Sequence, residues 1–470
     1  MYRAQNLAST FPADGIRSVL PGGNTVGGWI REKEARDDGY RHVDTPATIA
    51  MLKQVNANHF SFGIWDSPTD WDDLRLEFAP AAQAENIQIM PYIVPPTETR
   101  IDGRASRPHI MDYVAWAKSF AELSVQYPVL TAWAIDDFDQ GMNSGVFTGE
   151  YLSEIREAQD AINPALGFFT CAYFAAATSK EFIDRYAPYI DGLVFPFLDG
   201  LNTNTVVAET AQRDLDAILE LTRSRDLGVL FLVYAGRFLD GVLAPNESYV
   251  GEVIRQAMVA GKAGKVHGVI AYGLQVDGAP TVATELRSMY GLGRGALASS
   301  RSVVARDTYA ELKTSVKVDP DSARYELSFW HNRQTDLRFV PSQGDYIITV
   351  LVDGALVWQS DVVNCQWTGL WIQGEPLQGP IDVTSAFAGK VEAELAFRLT
   401  ALKEVRRGMV DVGIDNIETV GFSLTDPGFE DASAWVASSS GGPIISAVDI
   451  FTPDRPERIL ARVGEEFERG

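Results

Sequence analysis

The feature that most constrains this chain is a pattern repeated through its first 290 residues. Short apolar runs rich in β-branched and aromatic residues alternate with amphipathic stretches of helical period. This alternation predicts parallel strands joined by crossover helices, because parallel neighbours cannot be connected by tight turns. The runs predicted as strands are Thr25–Arg31, His59–Trp65, Ile87–Val94, Leu130–Ile135, Leu166–Tyr173, Gly192–Leu198, Gly228–Tyr234 and Gly268–Gly273.

These eight runs are apolar along their whole length, as expected of strands buried on both faces. Eight successive strand–helix units of this size predict a closed (β/α)8 barrel, the TIM barrel. An open, doubly wound sheet is the alternative fold. Nucleotide-binding sheets of that kind carry G-x-G-x-x-G after the first strand, and the glycines at 22, 23, 27 and 28 do not form it. No organic cofactor is therefore predicted.

The hydrophobic period changes to two after a small, polar segment at 293–305, which is predicted to be a linker. The runs Tyr346–Val352 and Ala355–Gln359 flank Asp353 and Gly354, a strong hairpin signal. We therefore expect a barrel over 1–292 and an all-β, antiparallel, jelly-roll-like sandwich over 306–454. Residues 455–470 are predicted to be a charged C-terminal tail or helix.

Charge and cysteine usage exclude several classes of partner. The formal net charge of −23 repels phosphate backbones and anionic lipids, so nucleic acid and membranes are not expected as partners. Cys171 and Cys365 fall in different predicted domains and lack zinc-site spacing, so neither a disulfide nor a metal is predicted. The sequence shows no apolar leader, which predicts a cytoplasmic location, or secretion if a leader has been removed.

Active sites of such barrels lie at the carboxyl ends of the strands. Carboxylates, aromatic residues and a few other polar residues stand there in this sequence. They are Trp65, Asp66, Tyr92, Glu98, Asp136, Asp137, Asp139, Tyr173, Asp199, Tyr234, Arg237, Tyr272 and Gln275. A sugar needs this mixture, because aromatic faces stack on its C–H surfaces and carboxylates accept hydrogen bonds from its hydroxyls.

The sharpest feature is the acidic run Asp136, Asp137 and Asp139 after strand four. Crowded carboxyl groups repel one another and raise at least one pKa, which suits a general acid. Strand alternation predicts that Asp137 and Asp139 do not both point as Asp136 does. Of the three, we favour Asp137 as the catalytic residue over Asp136. Helix capping or loop fixing is the alternative role for this run, and a turn at Asp199-Gly200 is the alternative for Asp199.

The two domains resemble the catalytic barrel of a glycoside hydrolase and the β-sandwich module often attached to one. Aspartates ending strand four, in the run from Ala134 to Phe138, and strand six, at Asp199, are similar to those of the α-galactosidase and α-glucosidase superfamily. That resemblance implies Asp137 as nucleophile and Asp199 as acid/base. Tyr234 stands where the commonest retaining β-glycosidase barrels have a glutamate.

The sequence thus predicts a glycoside hydrolase that cleaves an oligo- or polysaccharide with two carboxylates. Asp137, Asp199 and Asp136 are the catalytic candidates, and the other residues at the strand ends are candidates for binding substrate. Three alternatives stay open: a transglycosylase using the same site, a glycan-binding protein without activity, and a lyase or isomerase in which carboxylates hold a metal.

Overall fold

The computed structural model describes residues 23–28, 30–100, 103–198, 207–236, 245–274, 292–299, 303–334, 341–364, 377–406, 410–441, 443–450, 452 and 454–469. Eight parallel strands close into a barrel in chain order, from β1 beside β2 round to β8 beside β1. The predicted TIM barrel is therefore confirmed. The strands are β1 (Asn24–Gly27), β2 (His59–Ile64), β3 (Gln88–Ile93), β4 (Ala132–Ile135), β5 (Gly167–Cys171), β6 (Gly192–Phe197), β7 (Gly228–Tyr234) and β8 (Gly268–Tyr272).

Helices follow the strands and surround the barrel. They are α1 (Thr45–Gln54), α2 (Asp70–Asp72), α3 (Ala79–Ala84), α4 (Tyr113–Gln126), α5 (Asn143–Val146), α6 (Gly149–Asp160), α7 (Phe174–Ala177), α8 (Lys180–Tyr186), α9 (Ala211–Thr222) and α10 (Glu247–Lys262), with a π-helical segment Asp73–Phe78 joining α2 to α3 and a 3-10 turn Arg223–Arg225 after α9. Several begin with a polar cap. The Asp44 side chain, for example, accepts a hydrogen bond from the Ala47 N–H at the start of α1. The helix predicted at 281–290 lies outside the described residues.

The barrel has two apolar layers. One fills its interior and includes Met90, Phe169, Val194, Leu232 and Ile270. The other lies between strands and helices. Residues of one strand alternate between these layers, so a strand buried on both faces has no polar face. The barrel interior is filled by apolar side chains, and the polar side chains at the barrel's carboxyl end therefore lie above a tightly packed core.

The C-terminal region is a sandwich of two antiparallel sheets, as predicted. One sheet has the order β13-β12-β15-β10-β17, with β18 also paired to β10, and the other has the order β14-β11-β16-β9-β19. The strands are β9 (Gly295–Ser299), β10 (Tyr309–Val318), β11 (Glu326–Gln334), β12 (Tyr346–Val352), β13 (Ala355–Asp361), β14 (Leu377–Asp382), β15 (Glu392–Ala401), β16 (Val410–Val420), β17 (Phe422–Leu424), β18 (Val436–Ser439) and β19 (Ile444–Val448). Short helical turns, α11 (Thr384–Phe387) and the 3-10 turns Val362–Asn364 and Ala432–Ala434, complete this region.

Side chains from both sheets share one apolar core, which contains Leu312 and Phe397 from the first sheet and Leu327 and Ile414 from the second. The predicted hairpin at Asp353 joins β12 to β13. The structure differs from the sequence prediction at 293–305, because Gly295–Ser299 is a central strand of the second sheet and pairs with β16 and β19. Its small residues Ala296 and Ala298 resemble a linker in composition, yet they are buried.

The chain ends in α12 (Arg455–Arg469), which packs back onto the barrel. Ile459, Val463 and Phe467 belong to the layer between strands and helices. The Asn24 side chain at the start of β1 also donates a hydrogen bond to the Phe467 carbonyl oxygen. No helix within the described residues is both long and apolar enough to cross a membrane.

Candidate active site

Past the carboxyl ends of β3 and β4, one guanidinium pairs with two carboxyl groups, and a third carboxyl stands beside them. The Nη2 atom of Arg104 lies 3.0 Å from Oε2 of Glu98 and 3.4 Å from Oδ2 of Asp136. Asp137 follows directly in the chain, and it too contributes to the raised pKa of Glu98. The side chains of Glu98 and Asp136 are 24% and 15% exposed, so a ligand can reach them. We call Glu98, Asp136, Asp137 and Arg104 the acidic centre.

One arginine does not balance the charge of three carboxyls. Burial and this excess negative charge together raise the pKa values of Glu98 and Asp136. Burial, followed by the charge of Asp136, raises the pKa of Glu98 to about 8. Burial and the charge of Asp137 raise the pKa of Asp136 to about 7, although Arg104 opposes the shift. The acidic centre therefore keeps a carboxyl proton near neutral pH, which is the property that a general acid needs.

Asp137 is held in a backbone conformation that few L-residues adopt. Its φ is +37°. The buried Asn143 holds this turn, because its Nδ2 atom donates to the Asp137 carbonyl oxygen at 2.8 Å and to Oγ1 of Thr97 at 2.9 Å. Its Oδ1 atom accepts from the Thr97 N–H at 3.2 Å. One amide thus joins the loop of Asp137 to the loop of Glu98, and backbone strain of this kind concentrates at functional sites.

Strand β4 ends at Ile135, so the acidic run forms a turn rather than an extended strand. The prediction from strand alternation does not apply beyond that residue, and Asp136 and Asp137 both belong to the acidic centre. Asp139 has another role: its Oδ2 atom accepts from the Tyr173 N–H at 3.2 Å, which fixes the loop after β5. Burial raises the pKa of Asp139 to about 6.

Phenol groups line the acidic centre on the side of β5, β7 and β8. The Tyr173 hydroxyl donates to Oδ1 of Asp137 at 2.8 Å and lies 3.4 Å from the Tyr234 hydroxyl. The rings of Tyr234 and Tyr272 contact edge to face, with centroids 6.0 Å apart. Burial raises the pKa of each of these phenols well above 10. They remain neutral donors, able to orient a carboxylate or a substrate hydroxyl.

An indole continues the wall on the side of β2. The Trp65 ring lies under the Arg104 guanidinium, 4.8 Å from its Cζ atom, and 5.9 Å from the Tyr92 ring. Asp70 fixes the turn after β2, because its Oδ2 atom accepts from the backbone N–H groups of Trp65, Asp66 and Ser67 at 2.9–3.0 Å. The buried Asp70 side chain therefore fixes the position of Trp65 through the backbone of this turn.

The structure brings eight of the predicted site residues together in and around the acidic centre. They are Trp65, Tyr92, Glu98, Asp136, Asp137, Tyr173, Tyr234 and Tyr272. Asp66 lines a neighbouring cleft, and Asp139 fixes a loop. Asp199, Arg237 and Gln275 lie outside the described residues.

Sequence reasoning missed three residues. Arg104 and Asn143 stand in loops, well past the strand ends, and no local pattern marks them. Cys171, for which neither a disulfide nor a metal site was predicted, is buried. It also lies beside the carboxyls: one ligand atom each from Asp136, Asp137 and Cys171 falls within 4.8 Å of the others. Burial and the two carboxylate charges raise the pKa of this thiol, which keeps it protonated.

Comparisons with known proteins find no matching family model and no matching curated protein. Solved structures do match. An endo-α-mannosidase from Bacteroides thetaiotaomicron aligns at 10% identity and a TM-score of 0.38, covering 55% of this chain and 88% of its own. An endo-1,4-β-xylanase from Caldicellulosiruptor owensensis aligns at 12% identity and 0.34 over 55% and 88%. A glucosidase from Croceicoccus marinus aligns at 10% and 0.37 over 81% and 96%. Likeness at this level does not transfer those activities to this chain.

Proposed function

We propose that this protein is a glycoside hydrolase whose reaction takes place at the acidic centre. The observation that carries the proposal is the group of three carboxyls around one arginine, in which the pKa values of Glu98 and Asp136 are raised to about 8 and about 7. Cleavage of a glycosidic bond needs a carboxylic acid to protonate the leaving oxygen and a carboxylate to attack or to activate water. Both protonation states coexist here near neutral pH.

The contacts of the acidic centre support the following roles. Asp137 is the carboxylate that attacks the anomeric carbon or activates water, and the Tyr173 phenol orients it. Glu98 is the proton donor, because burial and then the negative charge of Asp136 raise its pKa. The resemblance noted from the sequence assigns the acid/base role to Asp199 instead, and Asp199 remains the second candidate for that role. Transfer to another sugar rather than to water would use the same groups.

The test is product release from a broad panel of oligosaccharides and aryl glycosides by the wild type and Asp137→Asn in parallel. We expect the wild type to cleave at least one substrate and Asp137→Asn to lose at least about a thousandfold in kcat, because the lost group belongs to the reacting unit. Asp415→Asn is the matched control, since it removes a buried carboxyl of the sandwich. An active Asp137→Asn enzyme would remove Asp137 from the mechanism.

Two further variants distinguish the proton donors. Glu98→Gln should impair substrates with poor leaving groups far more than activated aryl glycosides, which need little protonation of the leaving oxygen. If Asp199→Asn instead lost activity mainly on substrates with poor leaving groups, and Glu98→Gln behaved as wild type, Asp199 would be the proton donor. Detection of glycosyl transfer to an added sugar acceptor, without hydrolysis, would identify a transglycosylase.

A metal-dependent reaction is the second candidate, favoured by the proximity of Asp136, Asp137 and Cys171. Carboxylates with a thiol could hold a divalent cation, but Arg104 already forms an ion pair with Asp136 and the pKa of Cys171 is raised. We therefore expect a strong chelator to leave turnover unchanged. Loss of turnover on chelation, restored by an added divalent cation, would favour the lyase or isomerase alternative.

A further inference from the structure

A cleft of about 450 Å³ opens beside the acidic centre, on the side of β2 and β3. It is lined by Trp65, Asp66 and Arg104, and by two residues that sequence reasoning did not select, Tyr40 and Arg107. Arg104 belongs both to this cleft and to the acidic centre, since it contacts Glu98 and Asp136. A ligand in the cleft therefore continues directly into the site of the proposed reaction. The volume lies within the range of small-ligand pockets.

The charges of the cleft differ from those of the rest of the molecule. The chain carries a net charge of −23, yet the described residues that line this cleft include two arginines and only one acidic residue, Asp66. The Nη1 atom of Arg107 donates to the carbonyl oxygens of Gly103 at 3.2 Å and Ala105 at 3.4 Å. These contacts hold the guanidinium at the edge of the cleft. Arginine suits recognition of a carboxylate or sulfate because its planar donors can contact two oxygens at once.

The other groups of the cleft suit a sugar ring. Tyr40, which is 45% exposed, offers aromatic surface for C–H groups, and the Asp66 carboxylate can accept hydrogen bonds from hydroxyls. The turn that carries Trp65 and Asp66 is fixed by Asp70. Its position therefore does not depend on a ligand, which lowers the entropic cost of binding.

We propose that this cleft is a subsite for an anionic sugar unit, one that carries a carboxylate or a sulfate, with Arg107 as the residue that selects the anion. The inference rests on the proposed function in one respect: the unit bound here would be next to the sugar whose bond is cleaved. The substrate class would then be an acidic oligo- or polysaccharide rather than a neutral one.

The test measures binding without turnover. Asp137→Asn protein would be titrated calorimetrically with the methyl glycosides of glucuronate and galacturonate, with the matching neutral methyl hexosides, and with glucose 6-sulfate. We expect at least one anionic probe to bind about tenfold or more tightly than its neutral counterpart, as is typical of a charge-assisted hydrogen bond. The uronides and the sulfate distinguish the two kinds of anion.

Variants locate the preference. Arg107→Gln should bind the anionic probe no better than the neutral one, and Arg107→Lys should retain part of the preference, because it keeps the charge but loses the planar donors. Arg306→Gln removes an equally charged residue, 72% exposed, from the sandwich and should leave the preference intact. Unfolding temperatures of the variants would verify that they fold.

Equal affinities for anionic and neutral probes, a preference that persists in Arg107→Gln, or no binding of any anionic probe would each overturn the subsite. These results are separable from a failure of the proposed function. Arg107-dependent binding by a protein that cleaves no glycoside would keep the subsite and remove the hydrolase. Cleavage of neutral glycosides, without any anion preference, would do the reverse.

Discussion

The barrel and the sandwich each contain a cluster of carboxylates and arginines, and the two clusters differ in balance. In the sandwich, Arg294 binds Asp411 through two hydrogen bonds, at 3.1 and 2.6 Å, and Asp449 through one at 3.2 Å. Arg455 adds a second cation to Asp449 at 3.2 Å. Two carboxylates thus meet two guanidiniums, and the side chains of Arg294 and Asp411 are only 2% and 4% exposed. In the barrel, three carboxyls stand near one arginine, which pairs with Glu98 and Asp136, and the side chains of these two residues are 24% and 15% exposed.

The balance of carboxyls and arginines distinguishes an ion cluster that stabilises the fold from one suited to catalysis. The balanced cluster joins the start of β9 to β16 and to the beginning of α12, the helix that returns to the barrel. A raised pKa alone does not make the distinction, because burial also raises the pKa of Asp415 in the sandwich to about 8. Asp415 is 1% exposed and no substrate can reach it. The candidate site differs in two respects: it has more carboxyl groups than arginines, and a substrate can reach these carboxyl groups.

Replacing the arginine of each cluster should give the largest contrast. Arg294→Met leaves Asp411 and Asp449 buried without their main cation, and we expect it to lower the free energy of unfolding by about 3–5 kcal/mol. Arg104→Met, the matched variant, should cost far less, since Arg104 is 32% exposed and its carboxyl partners can take up protons. Denaturant titrations measure both. Equal losses would contradict the division into structural and chemical clusters.

Asn143→Ala should reduce kcat by about tenfold to a hundredfold, because it releases the Asp137 carbonyl and the Thr97 loop from one another. The substitution acts through position, so KM for small substrates should change less than kcat. Asn143→Asp keeps an acceptor for the Thr97 N–H but loses the donor to Asp137, and it should also be impaired. A steady-state comparison of kcat and KM checks this. Wild-type kcat in Asn143→Ala would remove the positioning role.

The excess of carboxyls should make stability fall as pH rises. The pKa of Glu98 is raised from 4.5 in the unfolded chain to about 8, so its contribution to stability is complete below pH 4.5 and is lost as pH rises to about 8. Glu98→Gln should remove that part of the loss, and its unfolding temperature should decline less than that of the wild type between pH 5 and 9. Parallel declines of wild type and variant would contradict the raised pKa.

The smallest expected effect is a shift of the pH–activity profile. Because the donor must be protonated, kcat/KM should fall on the alkaline side with an apparent pKa between about 7 and 8. Arg104 lowers the pKa values of Glu98 and Asp136, so Arg104→Met should move this alkaline limb to higher pH. Arg306→Gln is the control for a change of net charge. A shift of the alkaline limb to lower pH in Arg104→Met would contradict the proposed effect of Arg104 on these pKa values.

The sequence predicts the barrel well because strand burial is a local property. Seven of the eight apolar runs contain the strand found there, and the first run overlaps β1, which begins one residue earlier at Asn24. The acidic run after β4 was also visible, since strand ends mark the site in this fold. Arg104 and Asn143 were not visible in the sequence, because their loops reach the site through tertiary contacts over 32 and 46 residues.

The strand in the segment predicted as a linker was missed for a related reason. Small residues suit both flexible chain and close packing, and the neighbouring strands decide between them.

If the acidic centre performs the proposed chemistry, it holds an exchangeable carboxyl proton at neutral pH where a substrate can reach it. Infrared difference spectra of wild type minus Glu98→Gln and wild type minus Asp136→Asn, recorded from pH 5 to 10, test it directly without any substrate. We expect a protonated-carboxyl band at pH 7 that disappears as pH rises beyond about 8. The signal of Asp415 is common to both samples and cancels. Difference spectra that show only ionised carboxylate at pH 7 would contradict the claim.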